Sequence, residues 1–414
     1  MILTSGAGMK LQPPVPDSGI RYYFDWAATA LSGTSAGTDG RGSAPGTPAG
    51  GRIDGASPPG AYGNPSSLHA EGRKAKKYLE EARSRCADAL KVPPETLYFT
   101  SGGTESNTLV LYSFLKRKGK ARLLYSAVEH PSVRENCFVL ERLGVPVSPV
   151  SVEKDGRVTP ETLEKALEKN PDTRFAAIMK VNNETGALMD MCALSSLIRS
   201  KERAHIHLHC DLVQAIAKVP LDISAWDLDS ASISGHKLGG PGGTGLLYLR
   251  KPLDVLFAAE QERGVRPGTE NVQGALVLSK ILEERASGDF VKIEFDKAEE
   301  RMSFLIKSLK AMKRCNLIPQ DREDRDNRFS PWILQARFSG IPGEVMLRAL
   351  DSEGIAVSTG SACSSSIKER PVLSAMGLDE TASLEGIRIS QGWTTSMEDI
   401  EALLQGIEKT LRFL

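Results

Sequence analysis

The stretch SISGHKLGGPGG, residues 232–243, brings a lysine into a glycine-rich turn. Small residues that alternate from Asp227 to Ser234 predict a short strand before this turn. A lysine forms Schiff bases when its surroundings lower the pKa of its amine, so that the neutral form is present. The glycines that follow allow the backbone to pass close to a bulky ligand. Lys237 is therefore a candidate nucleophile, and an exposed turn lysine is the alternative.

Strands and helices alternate along the chain before this turn, which predicts a mostly parallel α/β sheet over residues 95–250. The predicted strands are Leu97–Thr100, Leu123–Ser126, Pro146–Val152, Phe175–Val181 and Ile206–Cys210, the last running to Asp211. The predicted helices are Ala70–Leu90, Thr104–Lys116, Ser132–Leu143, a helix that begins at Thr159-Pro160, and Cys192–Lys201. In such sheets, ligands bind outside the carboxyl ends of the strands.

The pattern changes after the sheet and suggests a second, smaller domain. Val272–Ala286 and Glu294–Lys313 are predicted amphipathic helices. We expect a large domain at residues 21–272 and a smaller α+β domain at 273–414, which residues 1–20 would join.

Two segments are predicted to lack regular structure. Residues 32–63 are dense in small and polar side chains and could bury little apolar surface, so we expect a flexible loop. The charged run Asp321–Arg328 is interpreted as a solvated loop. Beyond it, Ile333–Phe338 is predicted as a strand, and Ser396 is expected to cap the final helix with Asp399 in the capping-box position.

The charge balance and the cysteine pattern argue against several classes of protein. Lys+Arg and Asp+Glu each number 52 among 414 residues, so no net field would attract nucleic acid or an anionic membrane. No apolar run approaches the roughly 20 residues that a membrane span needs, and Met1–Lys10 lacks a secretory pattern. The cysteines form no CxxC pair, which argues against a disulfide framework or a structural zinc. We expect a cytoplasmic protein without nucleic-acid or membrane partners.

A second glycine-containing turn, TSGGTESN at residues 100–107, lies where a predicted strand passes into a helix. Gly103 and its neighbours would place free backbone N–H groups at the positive end of the helix, where anions bind. Asp211 ends another predicted strand and could face the same crevice as Lys237. An anion site, a lysine and a carboxylate are the three groups that pyridoxal 5'-phosphate requires.

These motifs, together with several others in order along the chain, resemble those of the cysteine desulfurases, in the class V aminotransferase group of fold-type I pyridoxal-phosphate enzymes. The others are Glu129-His130-Pro131-Ser132, Val181–Gly186, Asp211–Gln214, Arg263–Asn271 and Ser361-Ala362-Cys363. The resemblance extends from about Phe24 to the C-terminus. It implies a mostly parallel mixed sheet in a large domain, with a smaller α+β C-terminal domain.

The resemblance also assigns contacts to the cofactor ring. Lys237 would form the Schiff base and later carry a proton, and His130 would stack on the pyridine face. Asp211 would pair with the ring nitrogen. Asn183 and Gln214 would contact the ring substituents and hydroxyl, and Asn183 would also lie beside the substrate.

The cofactor phosphate would be held by residues from several motifs. By the same resemblance these are Gly103, Thr104, Ser234 and His236, with Thr269 reaching the phosphate from the neighbouring subunit of a homodimer. Arg388 would bind the substrate carboxylate through its bidentate fork.

Cys363 lies among small residues in Ser358–Ser366, which predict an exposed loop that could not hold a packed thiol. A sulfur nucleophile needs such exposure and reach. The surrounding sequence also resembles the longer-loop subgroup of the family, which implies that Cys363 is the catalytic cysteine. The other cysteines are expected to be packing residues: Cys86, Cys137, Cys192, Cys210 and Cys315.

The implied reaction converts L-cysteine to L-alanine with a persulfide on Cys363. The sulfur would pass to an acceptor protein for iron–sulfur cluster assembly or tRNA thiolation. Two alternatives stay open: a selenocysteine lyase or other β-elimination enzyme, and a weakly active homologue that serves as a sulfur-transfer scaffold.

Other features weigh on these predictions. His205, His207 and His209 alternate on one predicted strand and could ligate zinc together with Asp211. We expect no metal, because Asp211 is better explained as the partner of the cofactor's ring nitrogen. The sequences at residues 258–260 and 391–393 depart from the family pattern. Substrate access and partner docking therefore do not follow directly from the resemblance.

Overall fold

A computed structural model of the chain provides the coordinates. It describes residues 21–31, 63–117, 121–200, 203, 205–256, 260–360 and 370–414. The predictions for residues 1–20, for nearly all of the loop at 32–63 and for the loop that contains Cys363 lie outside these ranges.

A seven-stranded mixed sheet forms the larger layer, which confirms the α/β prediction. Its strands are β2 Leu97–Thr100, β3 Arg122–Ser126, β4 Val147–Val150, β5 Thr173–Ala177, β6 His207–Asp211, β7 Ser230–Ser234 and β8 Gly245–Leu249. The order across the sheet is β2-β8-β7-β6-β5-β3-β4. All neighbours are parallel except β8, which is antiparallel to both β2 and β7.

A smaller antiparallel sheet follows in the C-terminal part. It contains β9 Cys315–Ile318, β10 Ile333–Phe338 and β12 Gly386–Ser390, in the order β12-β10-β9. The first strand in the described ranges, β1 Tyr22–Tyr23, pairs in parallel with β11 Ile355–Ala356. The N-terminal segment, residues 21–31, therefore pairs with the C-terminal part before it reaches the larger sheet. The domain division at residue 272 stays a prediction.

Eleven helices occur within the described ranges. They are α1 Ala70–Leu90, α2 Gly103–Ser113, α3 Pro131–Arg142, α4 Pro160–Lys169, α5 Met191–Ile198, α6 Val272–Arg285, α7 Gly288–Ala311, α8 Gly343–Ser352, α9 Pro371–Ala375, α10 Glu380–Leu384 and α11 Met397–Phe413. None of them combines the length and apolar character that a bilayer span requires.

Local sequence signals located several helices accurately. The helix α1 has the predicted bounds and buries Leu79, Cys86 and Leu90 on one face. Thr159 caps α4 with a capping box, as its position before a proline predicts. Ser396 caps α11 with its own capping box.

Most of the other bounds differ from the prediction by one to three residues, and two differ by more. The strand β5 ends at Ala177 rather than Val181, although Ile178 N and Lys180 N still donate to carbonyl oxygens of the neighbouring strand β6. The helix α7 begins at Gly288, six residues earlier than predicted, because Ser287 caps it by accepting from Phe290 N at 3.3 Å.

The charged run Asp321–Arg328 is not wholly solvated, so that prediction is wrong for Arg322. Its side chain is buried and donates to the carbonyl oxygens of Thr185 and Ile333 at 2.9 and 3.0 Å. These backbone acceptors compensate the buried guanidinium. Cys192 also departs from expectation, because it is exposed rather than packed.

Candidate active site

A cavity of about 370 Å³ lies at the carboxyl ends of β6 and β7. Its walls come from the turn into α2, the ends of these two strands, the N-terminal segment and β12. Residues proposed from the sequence that line it are Gly103, Thr104, His130, Asn183, Asp211, Gln214, Ser234, His236, Lys237 and Arg388. The fold thus brings these side chains together from distant parts of the chain.

The remaining two proposed residues are Thr269 and Cys363. Thr269 is exposed and does not reach the cavity of its own chain; its proposed role in a neighbouring subunit stays a prediction. Cys363 lies outside the described residues, so its position relative to the cavity stays a prediction too.

The turn between β2 and α2 gives the cavity backbone donors. Gly102 has φ +151°, and a Cβ on Gly103 would lie 2.5 Å from Val213 Cγ2. Across the sheet, a Cβ on Gly245 would lie 2.5 Å from Gly102 Cα. Glycine is therefore needed for this close approach. The first turn of α2 lines the cavity and has no side-chain cap, so its backbone N–H groups and the positive end of the helix dipole favour an anion.

Asp211 lies at the end of β6 and is buried. Its two oxygens accept from Val213 N and from Asn107 Nδ2, both at 2.9 Å. Burial raises the pKa of Asp211, whereas these hydrogen bonds and the charge of Lys237 oppose the rise. A carboxylate held in this way can accept a further donor from a ligand.

Two of the three alternating histidines, His207 and His209, are hydrogen-bonded inside the protein, whereas His205 is exposed and lies 2.9 Å from Arg174 Nη1. His209 Nε2 lies 2.9 Å from Asn107 Oδ1, and His209 Nδ1 lies 2.8 Å from Ser230 Oγ. Burial lowers the pKa of His209 to about 3, so its ring is neutral. His207 pairs with the same Ser230 hydroxyl at 2.7 Å. Within the described ranges, no group of three or more potential ligands is arranged to hold a metal.

Lys237 follows β7 in a short 3-10 turn. Its Nζ donates to Ala27 O at 2.6 Å and also to Ala28 O. Ala27 O accepts a second bond from Gln214 Nε2 at 2.8 Å. The N-terminal segment therefore holds the lysine amine beside the side chain of Gln214.

Two histidines of the cavity are neutral near pH 7. His130 caps α3 by accepting from Ser132 N at 3.1 Å, and burial together with the charge of Lys237 lowers its pKa to about 4. His236 pairs with Ser234 Oγ at 2.9 Å, and burial lowers its pKa to about 4 as well. A neutral imidazole can stack on a flat ring without adding positive charge to the site.

Arg388 projects from β12 and is 1% exposed. Its Nη1 donates to Asn183 O at 2.9 Å, and its Nη2 donates to Asp25 Oδ1 at 2.7 Å. Arg388 Nε and Asn183 Oδ1 are buried without a hydrogen-bond partner. Such unpaired buried groups are costly, and a bound ligand with its own donors and acceptors could satisfy them.

Three further charged residues belong to this network or lie beside it, although no sequence pattern assigns them a role: Asp25, Glu129 and Lys218. Glu129 belongs to the motif Glu129-His130-Pro131-Ser132, whereas no motif contains Asp25 or Lys218. Glu129 is buried, accepts from Met179 N at 2.6 Å, and has its pKa raised by burial and by Asp211. The only sequence signal for these three residues is a charged side chain at a position where the surrounding pattern is apolar.

The departure at residues 391–393 affects packing rather than the cavity lining. Gln391 is buried and its Nε2 donates to Ala298 O at 2.8 Å, while its Oε1 accepts from Arg301 at 2.6 Å. Trp393 packs edge-on against Trp26 at 6.0 Å. Of the departure at 258–260, only Glu260 lies in the described ranges, and it is exposed.

Comparisons with known proteins find relatives in sequence and in overall structure. The aminotransferase class-V family model matches residues 59–403. A cysteine desulfurase named IscS from Dictyoglomus turgidum is 36% identical over 364 residues, which cover 85% of this chain and 88% of that protein. A solved structure described as a NifS-like protein matches with a TM-score of 0.80 at 29% identity, covering 95% of this chain and 100% of its own. Another, described as SspA in complex with cysteine, matches with a TM-score of 0.69 at 26% identity, covering 89% and 98% of the two chains.

Proposed function

The chain belongs to the aminotransferase class-V family, and from that membership we propose that it is a cysteine desulfurase that uses pyridoxal 5'-phosphate. The single observation that carries this proposal is the convergence of Lys237, Asp211 and the first turn of α2 on one cavity that Arg388 also lines. Family membership implies the cofactor, and relatives with this activity suggest cysteine as the substrate.

The residues of the cavity fit the cofactor. The phosphate would be held by the N–H groups of the Gly102–Gly103 turn, with Thr104, Ser234 and His236 beside them. Asp211 would accept from the ring nitrogen, and neutral His130 would lie against the ring. When bound, the cofactor supplies an electron sink for bonds at the α-carbon of an amino acid.

The side chains of the protein would then have separate tasks. Lys237 would hold the cofactor aldehyde and, once displaced by the substrate amine, would move the α-proton. Its present contacts with Ala27 O and Ala28 O keep the amine inside the cavity. Arg388 would bind the substrate carboxylate, and Asn183 would lie beside it.

The sulfur step is assigned to Cys363 from the sequence. Its thiolate would attack the substrate sulfur, and the bond between Cβ and sulfur would break. The electron pair would stay on the carbon, which takes up a proton to yield L-alanine. The persulfide on Cys363 would pass its outer sulfur to the thiol of an acceptor protein for iron–sulfur cluster assembly or tRNA thiolation. We further propose a cytoplasmic homodimer in which Thr269 reaches the neighbouring phosphate.

The test combines an absorption spectrum with product analysis. The purified protein should be yellow with pyridoxal phosphate and should release L-alanine from L-cysteine. Lys237→Ala should lower turnover by at least about a thousandfold, since the lysine serves both as cofactor anchor and as proton carrier. Cys363→Ser should abolish the persulfide.

A matched control is Cys192→Ser, which removes an exposed cysteine outside the cavity and should leave turnover within about twofold. A colourless protein that ignores added pyridoxal phosphate would overturn the proposal. Full cysteine desulfuration by Cys363→Ser would overturn the sulfur step, and a strong preference for selenocysteine would favour a lyase.

A further inference from the structure

Lys218 is a lysine that is only 2% exposed and contacts the cavity-lining residue Gln214. Residues 213–218 form consecutive turns after β6, in which Val219 N donates to Ala215 O at 3.0 Å. Lys218 follows Gln214 by four residues in these turns, and the turns bring the two side chains together. Its Nζ donates to Gln214 Oε1 at 3.3 Å.

The burial of Lys218 is not explained by an ion pair. Among the described residues, no carboxylate forms an ion pair with it, and burial with the charges of Lys237 and Arg388 lowers its pKa to about 7. A buried lysine is costly when nothing compensates it. The side chain of Lys218 donates a hydrogen bond to Gln214 Oε1. We therefore look to this contact with Gln214 for the role of Lys218.

This contact fixes the direction of the Gln214 amide. The Nε2 of Gln214 donates to Ala27 O at 2.8 Å on one side, and its Oε1 accepts from Lys218 on the other. If the amide were turned over, its oxygen would face the Ala27 carbonyl oxygen, and this contact would be repulsive. Its NH2 group would face Lys218 Nζ, which repels it whenever the lysine is protonated. The second hydrogen of Nε2 is therefore the one available to the cavity that Gln214 lines.

We propose that Lys218 is a positioning residue that holds the Gln214 amide with an N–H donor toward the hydroxyl oxygen of the bound pyridine ring. This inference rests on the proposed function, because it takes the ligand to be a vitamin B6 phosphate. Lys218 acts through Gln214 and does not itself line the cavity.

A double-mutant cycle on ligand binding tests this role without relying on turnover. The probe is pyridoxamine 5'-phosphate, which carries the ring and phosphate but forms no bond with Lys237. Lys218→Met should weaken its binding to the apo protein about tenfold, which is the loss of roughly one hydrogen bond. In a Gln214→Leu background the same substitution should change the dissociation constant by less than about twofold.

The control is Lys180→Met, which removes another largely buried lysine with a lowered pKa. Lys180 donates to Met189 O at 2.6 Å and does not line the cavity. Binding should stay within about twofold of the parent protein. Lys218→Gln, one bond too short to reach Gln214, replaces Lys218→Met if that variant does not fold.

The outcomes separate this inference from the proposed function. Equal weakening by Lys218→Met in both backgrounds, or no weakening at all, would overturn the role of Lys218 while leaving the cofactor assignment intact. A parent protein that binds neither pyridoxamine phosphate nor pyridoxal phosphate would instead overturn the proposed function. The absorption maximum of bound pyridoxal phosphate should shift in the same direction in Lys218→Met and Gln214→Leu, which a purely structural effect would not produce.

Discussion

Arg388 illustrates how single residues divide their roles in this cavity. The Asp25 carboxylate occupies Nη2 and the Asn183 carbonyl occupies Nη1, so the buried guanidinium is oriented before any substrate arrives. An incoming carboxylate would share this arginine with Asp25. If Arg388 binds the substrate carboxylate as proposed, the carboxylate of Asp25 would weaken that binding by competing for the same guanidinium.

Glu129 provides a prediction about pH at the residue scale. Its pKa is raised well above 4.5 by burial and by Asp211, so the folded state keeps a proton that the unfolded state loses. The unfolded state then binds fewer protons, and this residue lowers stability as the pH rises above about 4.5. Glu129→Gln has no proton to lose. The melting temperature of Glu129→Gln relative to the parent should therefore rise between pH 4.5 and pH 7.

The comparison needs thermal unfolding of the apo protein at several pH values. The exposed Glu168→Gln should show no such trend. If Glu129→Gln lost stability relative to the parent as the pH rose, Glu129 would be ionised in the folded protein.

At the scale of elements, the segment between β1 and the larger layer connects both halves of the cavity. It passes from Asp25, which holds Arg388, to Ala27 and Ala28, whose carbonyls hold Lys237. Trp26 fixes this segment by packing against the turn that follows β12. A displacement of that turn should therefore also displace the carbonyl groups that hold the amine of Lys237.

Gly392→Ala tests this connection. A Cβ at Gly392 would lie 2.0 Å from Cδ2 of the Trp26 ring, so the ring or the turn must move. Overpacking of this kind costs about 1–3 kcal/mol. The variant should unfold at lower denaturant and bind pyridoxal phosphate more weakly. Gly288→Ala is the control, because a Cβ there meets nothing within 4 Å. Unchanged stability and binding in Gly392→Ala would contradict the connection.

At the scale of the whole molecule, the C-terminal part supports the floor of the cavity. Trp332 lies just before β10 and donates through Nε1 to Lys218 O at 2.6 Å. Both residues are buried. The backbone of the residue beneath Gln214 is thus fixed from a segment more than a hundred residues away.

Trp332→Phe should expose the consequence of losing this support. The carbonyl of Lys218 would be left buried and unpaired, which costs about 1–3 kcal/mol beyond the lost ring volume. Denaturant unfolding and pyridoxamine phosphate binding should both weaken more than in Trp226→Phe, a substitution of another buried tryptophan. Equal effects of the two substitutions would show that volume alone matters.

Much of the fold and of the candidate site could be predicted where the signal is local. The bounds of α1 follow from its apolar periodicity, and the caps at Thr159 and Ser396 follow from side chains that satisfy nearby N–H groups. The clustering of Lys237 and Asp211 also followed, since parallel strands end at one edge. The end of β5 and the burial of Arg322 did not, because both depend on which segments pack beside them.

The sequence by itself determined the α/β class, the resemblance to the cysteine desulfurases and the residue types available to the cavity. Only the tertiary structure decided that Ala27 and Ala28 hold Lys237, that Asp25 holds Arg388, and that Lys218 lies beneath Gln214. The reason is physical. A strand, a cap or a glycine turn is favoured by neighbours a few residues away, whereas these contacts mostly join atoms hundreds of residues apart and exist only after packing brings them within hydrogen-bond distance.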